Sequence, residues 1–259
     1  NEDDLKLVGS FPIPDHVLAK TLRILQENQP RVIGLNIFRD LPVEPGFNEI
    51  KQAFKEPNVI GVEVALNRDD RLNIKPPDAL PPQQVGFADL IVDWDGKLRR
   101  SMLASRDWHL QMKYSFSLRL AQAYLERQGI KFKHGNSIYE PIQFGSIVIP
   151  RFEPNSGGYI RADANGYQTL LNFCAGYKPF RTISLTDILN RNFQAEEIRD
   201  RIAIVGMTAA SIKDTFITAA VNSTEVSASN GDEASPNQLI YGVEVHAHLA
   251  SQIIRTVLD

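Results

Sequence analysis

The stretch Val32-Ile-Gly-Leu-Asn-Ile-Phe38 decides the architecture. It is short, almost continuously apolar and rich in β-branched residues, which suits a strand covered on both faces. Upstream, Pro14 and Asp15 open a helical pattern with Val17, Leu18, Thr21, Leu22 and Leu25 at i, i+3, i+4 spacing, and Pro30 forbids its continuation, so this helix ends near Asn28. Downstream, Phe47, Ile50 and Phe54 mark a short helix stopped before Pro57, and residues 59–64 (VIGVEV) repeat the buried-strand signature. Helix, strand, helix, strand with short links is the pattern of parallel βαβ units.

Further along, residues 85–92 and 98–104 flank Asp93-Trp-Asp-Gly96 and read as an antiparallel hairpin turned by Asp-Gly. Residues 114–128 carry Tyr114, Leu118, Ala121 and Leu125 on one helical stripe, with Gly129 placed to end it. Residues 142–149 and 168–173 are further strand candidates, Ser184-Leu-Thr-Asp187 is a capping box, residues 202–205 form another buried strand, and 243–258 a closing helix. These elements predict a single α/β domain over residues 1–259, with a mixed, largely parallel sheet, helices on both faces and an antiparallel hairpin extension. Residues 222–238 (NSTEVSASNGDEASPNQ) are too poor in apolar side chains for a packed element and are expected to be a mobile loop. Residues 68–84, with two Pro-Pro pairs, form a second irregular excursion.

Composition narrows the function. With 259 residues, 43% hydrophobic and 23% charged, the chain can bury a large core and is neither disordered nor a coiled coil. Lys and Arg number 28 against 31 Asp and Glu, a formal charge of −3, so no basic footprint for nucleic acid exists. The one cysteine, Cys174, can form no internal disulfide and supply no Cys-rich zinc site, and its Asn-Phe-Cys-Ala context reads as buried and inert. The best apolar run, residues 202–210 (IAIVGMTAA), is far short of a bilayer span, so any anchoring or targeting segment is expected outside these residues.

The chemistry-bearing residues are few. Asp93-Trp-Asp95-Gly96 and Asp163-Ala-Asn165-Gly166 begin like calcium loops, but their twelfth positions are Ala104 and Cys174, so both read as tight turns. His246 and His248 cannot share a tetrahedral metal site two residues apart on a helix. His246 falls on the stripe Val243, His246, Ala250, Ile253 and Val257 and is expected to be buried, either as a packed core histidine or facing a ligand; His248, with Glu244, Ser251 and Arg255, is expected in solvent. Gly206-Met-Thr208-Ala-Ala-Ser211 follows a buried strand, a place where free amides hold anions, though it matches neither a phosphate loop nor a dinucleotide fingerprint. Arg39 and Asp40 stand at the carboxyl end of the first strand, where open parallel sheets collect ligands. A pocket is therefore expected there: Arg39, Thr208 and Lys213 donating to a polar or anionic small molecule or ion, Gly206 adding amides, Asp40 and Asp214 orienting the cations, and His246 forming a wall. The competing reading is that Arg39, Asp40, Lys213 and Asp214 satisfy one another as a structural cluster. No nucleophile elbow and no convincing carboxylate pair is present, and the residues call for no cofactor and no metal. A hydrolase using Asp40, Asp214 and His246 is the enzymatic rival to a binding role.

Several strings occur in order: residues 30–46 (PRVIGLNIFRDLPVEPG), Val85-Gly-Phe87, residues 93–100 (DWDGKLRR), Thr182-Ile-Ser-Leu-Thr-Asp187, residues 204–214 (IVGMTAASIKD) and Gly242-Val-Glu-Val-His246. Together they resemble the second type of CHASE domain, in wording closest to cyanobacterial members, over nearly the whole chain. The resemblance implies an extracytoplasmic sensory input domain of a bacterial membrane receptor, flanked by membrane segments and controlling a kinase or cyclase across the membrane. A homodimer is one assembly expected of such a domain, and a purely structural module that mediates dimerisation is a further rival to sensing. It implies as well that Asn1 and Asp259 face the same side of the molecule. One departure is Asn36, where the family's strand motif carries an acidic residue.

Overall fold

The structure is a computed structural model describing residues 1–67, 69–174, 179–218 and 239–259; the expected mobile loop at 222–238 lies outside the described residues. The chain runs through α1 (Glu2–Val8), α2 (Asp15–Glu27), β1 (Val32–Asn36), α3 (Phe47–Ala53), β2 (Val59–Glu63) and β3 (Val85–Phe87). It continues through β4 (Lys97–Leu98), β5 (Arg100–Arg106), β6 (Met112–Tyr114), α4 (Phe116–Glu126), β7 (Phe132–Lys133), β8 (Gln143–Phe144) and β9 (Ile147–Val148). The last third holds β10 (Tyr167–Leu170), α5 (Leu185–Leu189), β11 (Ile202–Gly206), β12 (Thr215–Thr218), β13 (Leu239–Tyr241) and α6 (Gly242–Leu258).

Four strands form one all-parallel sheet in the order β11-β1-β2-β3, with Leu35 opposite Val205 and Gly61 opposite Val85. Because side chains alternate along a strand, Ile33, Leu35, Val59 and Val85 pack toward α2, α3 and α5, while Val32, Ile60 and Val62 pack toward Phe116 and Leu120 of α4 and Ala250 of α6. Helices therefore cover both faces, as expected. Gly34 and Gly86 set how near α4 comes: a β-carbon on Gly34 would lie 2.8 Å from the side chains of Phe116 and Leu120, and one on Gly86 would lie 2.5 Å from the Phe116 backbone. The far sides of α4 and α6 bury Leu118, Ala121, Leu125, Leu249 and Ile253 against Leu103, Phe144 and Tyr167 of the antiparallel strands. Helix layer, parallel sheet, helix layer and antiparallel lobe thus stack in turn.

The expected hairpin is corrected in part. Its turn exists, with Gly96 N–H donating to the Asp93 carbonyl at 2.8 Å and a single bridge joining Ile91 to Arg100. Its two arms separate: β3 pairs parallel with β2, β4 pairs with β12, and β5 lies between β10 and β6. The apolar run Val85-Gly-Phe87 is drawn into the parallel sheet because it is buried on both faces, and an alternating pattern alone does not say which strand is the partner. The antiparallel strands make sheets of their own rather than extending the parallel one. Residues 142–149 fold as two short strands around Gly145, at φ +60°, and Tyr114 ends β6 instead of starting α4, which Ser115 caps through the Leu118 N–H. The excursion at 69–84 carries two short 3-10 turns, is tied at Ile74 to Val64 by an isolated antiparallel bridge, and lays Leu80 against Gly61.

The termini do not share an end of the sheet. Glu2 accepts a hydrogen bond from Ser211 N–H beyond the carboxyl end of β11, and Ile13 touches Arg39 beyond the carboxyl end of β1. Helix α6 starts at that same edge, with Val243 against Gly206, and runs back antiparallel to the strands past Val32 and Ile202. Asp259 thus lies toward the amino end of the strands and Asn1 toward the carboxyl end, contrary to the expected common face, because the chain enters and leaves on helices at opposite ends of the strands.

Candidate functional site

The carboxyl edge of the parallel sheet brings some of the expected residues together and commits others elsewhere. Arg39 turns away from β11. Its Nε lies 3.3 Å from Asp15 Oδ1, with both side chains almost wholly buried, and its terminal nitrogens donate to the carbonyls of Phe38 and Ile13. Asp15 in turn accepts Val43 N–H at 3.0 Å through Oδ2, so the pair clasps the loop after β1 onto the start of α2. Burial lowers the Arg39 pKa and Asp15 and Asp40 oppose it, the balance remaining downward. Arg39 is thus an internal tie and not a donor facing a pocket, and Asp40 beside it is exposed.

The other candidates gather where α6 begins. A β-carbon on Gly206 would lie 2.6 Å from Val243, and one on Gly242 would lie 2.5 Å from the Asp214 carboxylate. Asp214 also accepts Gly242 N–H on its carbonyl at 3.0 Å. Its carboxyl pKa is raised by burial. Lys213, in the left-handed conformation at φ 58°, points to solvent, and Thr208 is half-buried. The mutual cluster of Arg39, Asp40, Lys213 and Asp214 does not form: among the described residues Arg39 pairs with Asp15, and no ion pair joins Lys213 to either aspartate.

His246 is buried as expected, its Nδ1 2.9 Å from Ser117 Oγ and its ring edge-on to Phe116. Burial lowers its pKa to about 4. His248 corrects the expectation of a solvated ring. It is buried between Phe173 and Phe180, accepts the Cys174 N–H at 3.1 Å on Nδ1, and has its pKa lowered to about 4 by burial and then by Arg255. An amphipathic reading assumes one wet face, whereas a helix between two layers has little. Cys174 is half-buried rather than sealed, its Sγ 3.5 Å from Ser251 Oγ.

Two features escaped the reading of the sequence. The Asp93 turn is the hub of a polar network: its carboxylate accepts from Arg99, Arg100 and Tyr159, and Arg100 reaches on to Gln168 and the Asp163 carbonyl. Burial works to raise the Asp93 pKa, but the hydrogen bonds from Tyr159, Arg100 and Arg99 outweigh it and the carboxyl is held below its ordinary value. Arginine nitrogens occupy the place that a calcium loop would give a cation, and Asp163 likewise folds into a turn, accepting Asn165 N–H. The second feature is a cleft of about 190 Å³ between α2 and α3, floored by Ala19, Leu22, Ala53 and Val59. Only the helical spacing of these residues hinted at it; that the two helices lie side by side is a tertiary fact.

The CHASE2 domain family model matches residues 1–259, the whole chain, and the chain belongs to that family of extracellular sensory, non-catalytic receptor domains. No curated protein and no solved structure matches it significantly. Among the described residues no helix is long and apolar enough to cross a membrane.

Proposed function

We propose that this domain is the ligand-binding input of a transmembrane receptor, placed on the periplasmic face of a bacterial, cyanobacterial-type cell membrane and governing a kinase of two-component signalling or a nucleotide cyclase. Whole-length membership of a sensory family is the observation that carries the reading. The geometry supports it through α6, whose first turn packs on Gly206 and Asp214 while its length touches the parallel sheet, α4 and the antiparallel lobe. A helix shared by both layers is the element through which a small shift on one side reaches the other. A ligand moves such an equilibrium only by its differential affinity for the two states.

The test is a thermal-shift screen of the isolated domain against a library of metabolites and ions, followed by output activity of the full receptor in membranes with each hit. A saturable shift that also changes output supports the reading. Turnover of generic ester or phosphate substrates, abolished by Asp214→Ala, would overturn it in favour of a hydrolase, and a domain that dimerises but answers no compound would make it a structural module.

A further inference from the structure

We infer that the cleft between α2 and α3 is the ligand site, and that its ligand is a free α-amino acid with a small aliphatic side chain; the inference rests on the sensory reading above and names where and what the domain senses. Four residues of α2 (Ala19, Leu22, Arg23, Gln26) and four along α3 and its extension (Glu49, Gln52, Ala53, Glu56) line the cleft. Each set follows i, i+3, i+4, i+7 spacing, so each is one stripe on one helix. Paired stripes of this kind normally close on each other; here each stripe contributes an alanine, Ala19 and Ala53, and an open volume of about 190 Å³ remains beside Val59. That is below the roughly 300–1,000 Å³ of sites for drug-sized molecules, so the occupant is small.

The rim defines its chemistry. Arg23 stands on one helix and Glu49 and Glu56 on the other, yet no ion pair crosses the cleft, and among the described residues none of the three has a side-chain partner. Gln26 lines the same cleft from α2, one turn beyond Arg23. An α-amino acid meets the charged rim and the apolar floor together: its carboxylate suits the planar donors of Arg23, its ammonium donates to a rim glutamate, and its aliphatic side chain covers Ala19, Leu22, Ala53 and Val59. A net acidic rim, with two carboxylates to one guanidinium, disfavours a simple anion. Helix α2 is itself tied at Asp15 to Arg39 and so to Ile13 behind α1, which places the cleft in mechanical contact with the amino-terminal segment.

Titration calorimetry of the domain with L-leucine and L-valine tests this, with 3-methylbutylamine and 4-methylpentanoate as probes carrying only one of the two charges. Saturable binding of an amino acid is expected, weakened about tenfold or more in Arg23→Gln and Glu49→Gln, each of which removes one charged hydrogen bond, and abolished in Ala53→Leu, which fills the cleft with a good helix former. Arg23 and Glu49 are exposed, so their variants fold and keep the test decisive if Ala53→Leu does not. Failure of both amino acids to bind, equal binding of a single-charge probe, or binding that survives all three substitutions would overturn the inference. A hit from the metabolite library that is unaffected by these substitutions would leave the sensory reading standing and place its ligand elsewhere.

Discussion

Strand β1 buries Val32, Ile33, Gly34 and Leu35 in succession, whereas β5 buries Ser101, Leu103 and Ala104 between residues left partly open, and Arg100 and Arg106 stand within the strand. The two belong to the two sheets on either side of α4 and α6, and they cohere by different means. The parallel sheet is held by apolar contact on both faces and by glycines that let α4 approach closely. The antiparallel lobe has strands as short as two residues, too few ladder bonds to fix a register, and a buried carboxylate at Asp93 binds its turn, its long strand and Tyr159 together. Packing specifies the first region and a polar network the second.

That contrast can be broken most directly at Gly86. Gly86→Val puts its branched side chain against the Phe116 backbone, which cannot rotate aside, so a loss of about 3 kcal/mol is expected by urea denaturation. Gly158→Val, where a β-carbon meets nothing within 4 Å, should leave the midpoint almost unmoved. A folded Gly86→Val of ordinary stability would end the close-approach account. Next comes Arg39→Ala, which strands the buried Asp15 carboxylate and should cost about 3 kcal/mol in the same assay; a neutral result would mean that Arg39 is free to serve a ligand after all.

Asp93→Asn sharpens the comparison by region. It should cost about 2 kcal/mol, and amide exchange should quicken in β5 and β10 while β1 and β2 stay protected. Since the Asp93 carboxyl is held below its ordinary value, the stabilisation is present above that ordinary value and fades as pH falls through the lower folded one, so the variant and the parent should converge in acid. Uniform loosening of both sheets would show that the network is not local to the lobe.

The histidines of α6 face both regions, His246 toward Phe116 and His248 toward Phe173 and Phe180. Each has a folded pKa of about 4 against about 6.5 when unfolded, so between these values the unfolded chain holds the extra proton and stability falls as pH falls. The slope is about 1.4 kcal/mol per pH unit for each ring, measurable by denaturation from pH 7 to pH 4 and halved in His248→Gln. A flat profile would place the rings in solvent. Smallest of all, Lys213→Ala should change stability by less than about 0.5 kcal/mol, since the side chain is exposed and unpaired among the described residues.

Much of the fold was legible because its signals are local. Continuous apolar runs at β1, β2 and β11 name buried strands, Pro30 and Pro57 limit the helices before them, and Ser184 caps α5 as its spacing says. The α1 helix was not anticipated, its few residues offering no stripe, and His248 was misplaced because burial of a second helix face depends on what lies beyond it. At the site, His246 was placed in the core from periodicity alone, while the fate of Arg39 was invisible: whether a guanidinium at a strand end turns toward a neighbouring strand or back to Asp15 depends on a residue far away in sequence.

The amino-acid sequence by itself determined the class of fold, the parallel βαβ start, the burial of His246 and, through ordered motifs spread along the chain, the family. Those properties rest on periodicity, turn chemistry and local steric limits, all contained within a few neighbouring residues. Tertiary structure alone decided that the arms of the Asp93 hairpin join different sheets, that Arg39 closes on Asp15, and that α2 and α3 lie with unpaired charges across a cleft. Strand partners, ion pairs and cavities are relations between segments brought together by burial of the whole core, and a local pattern that fits several partners equally well carries no record of which one it meets.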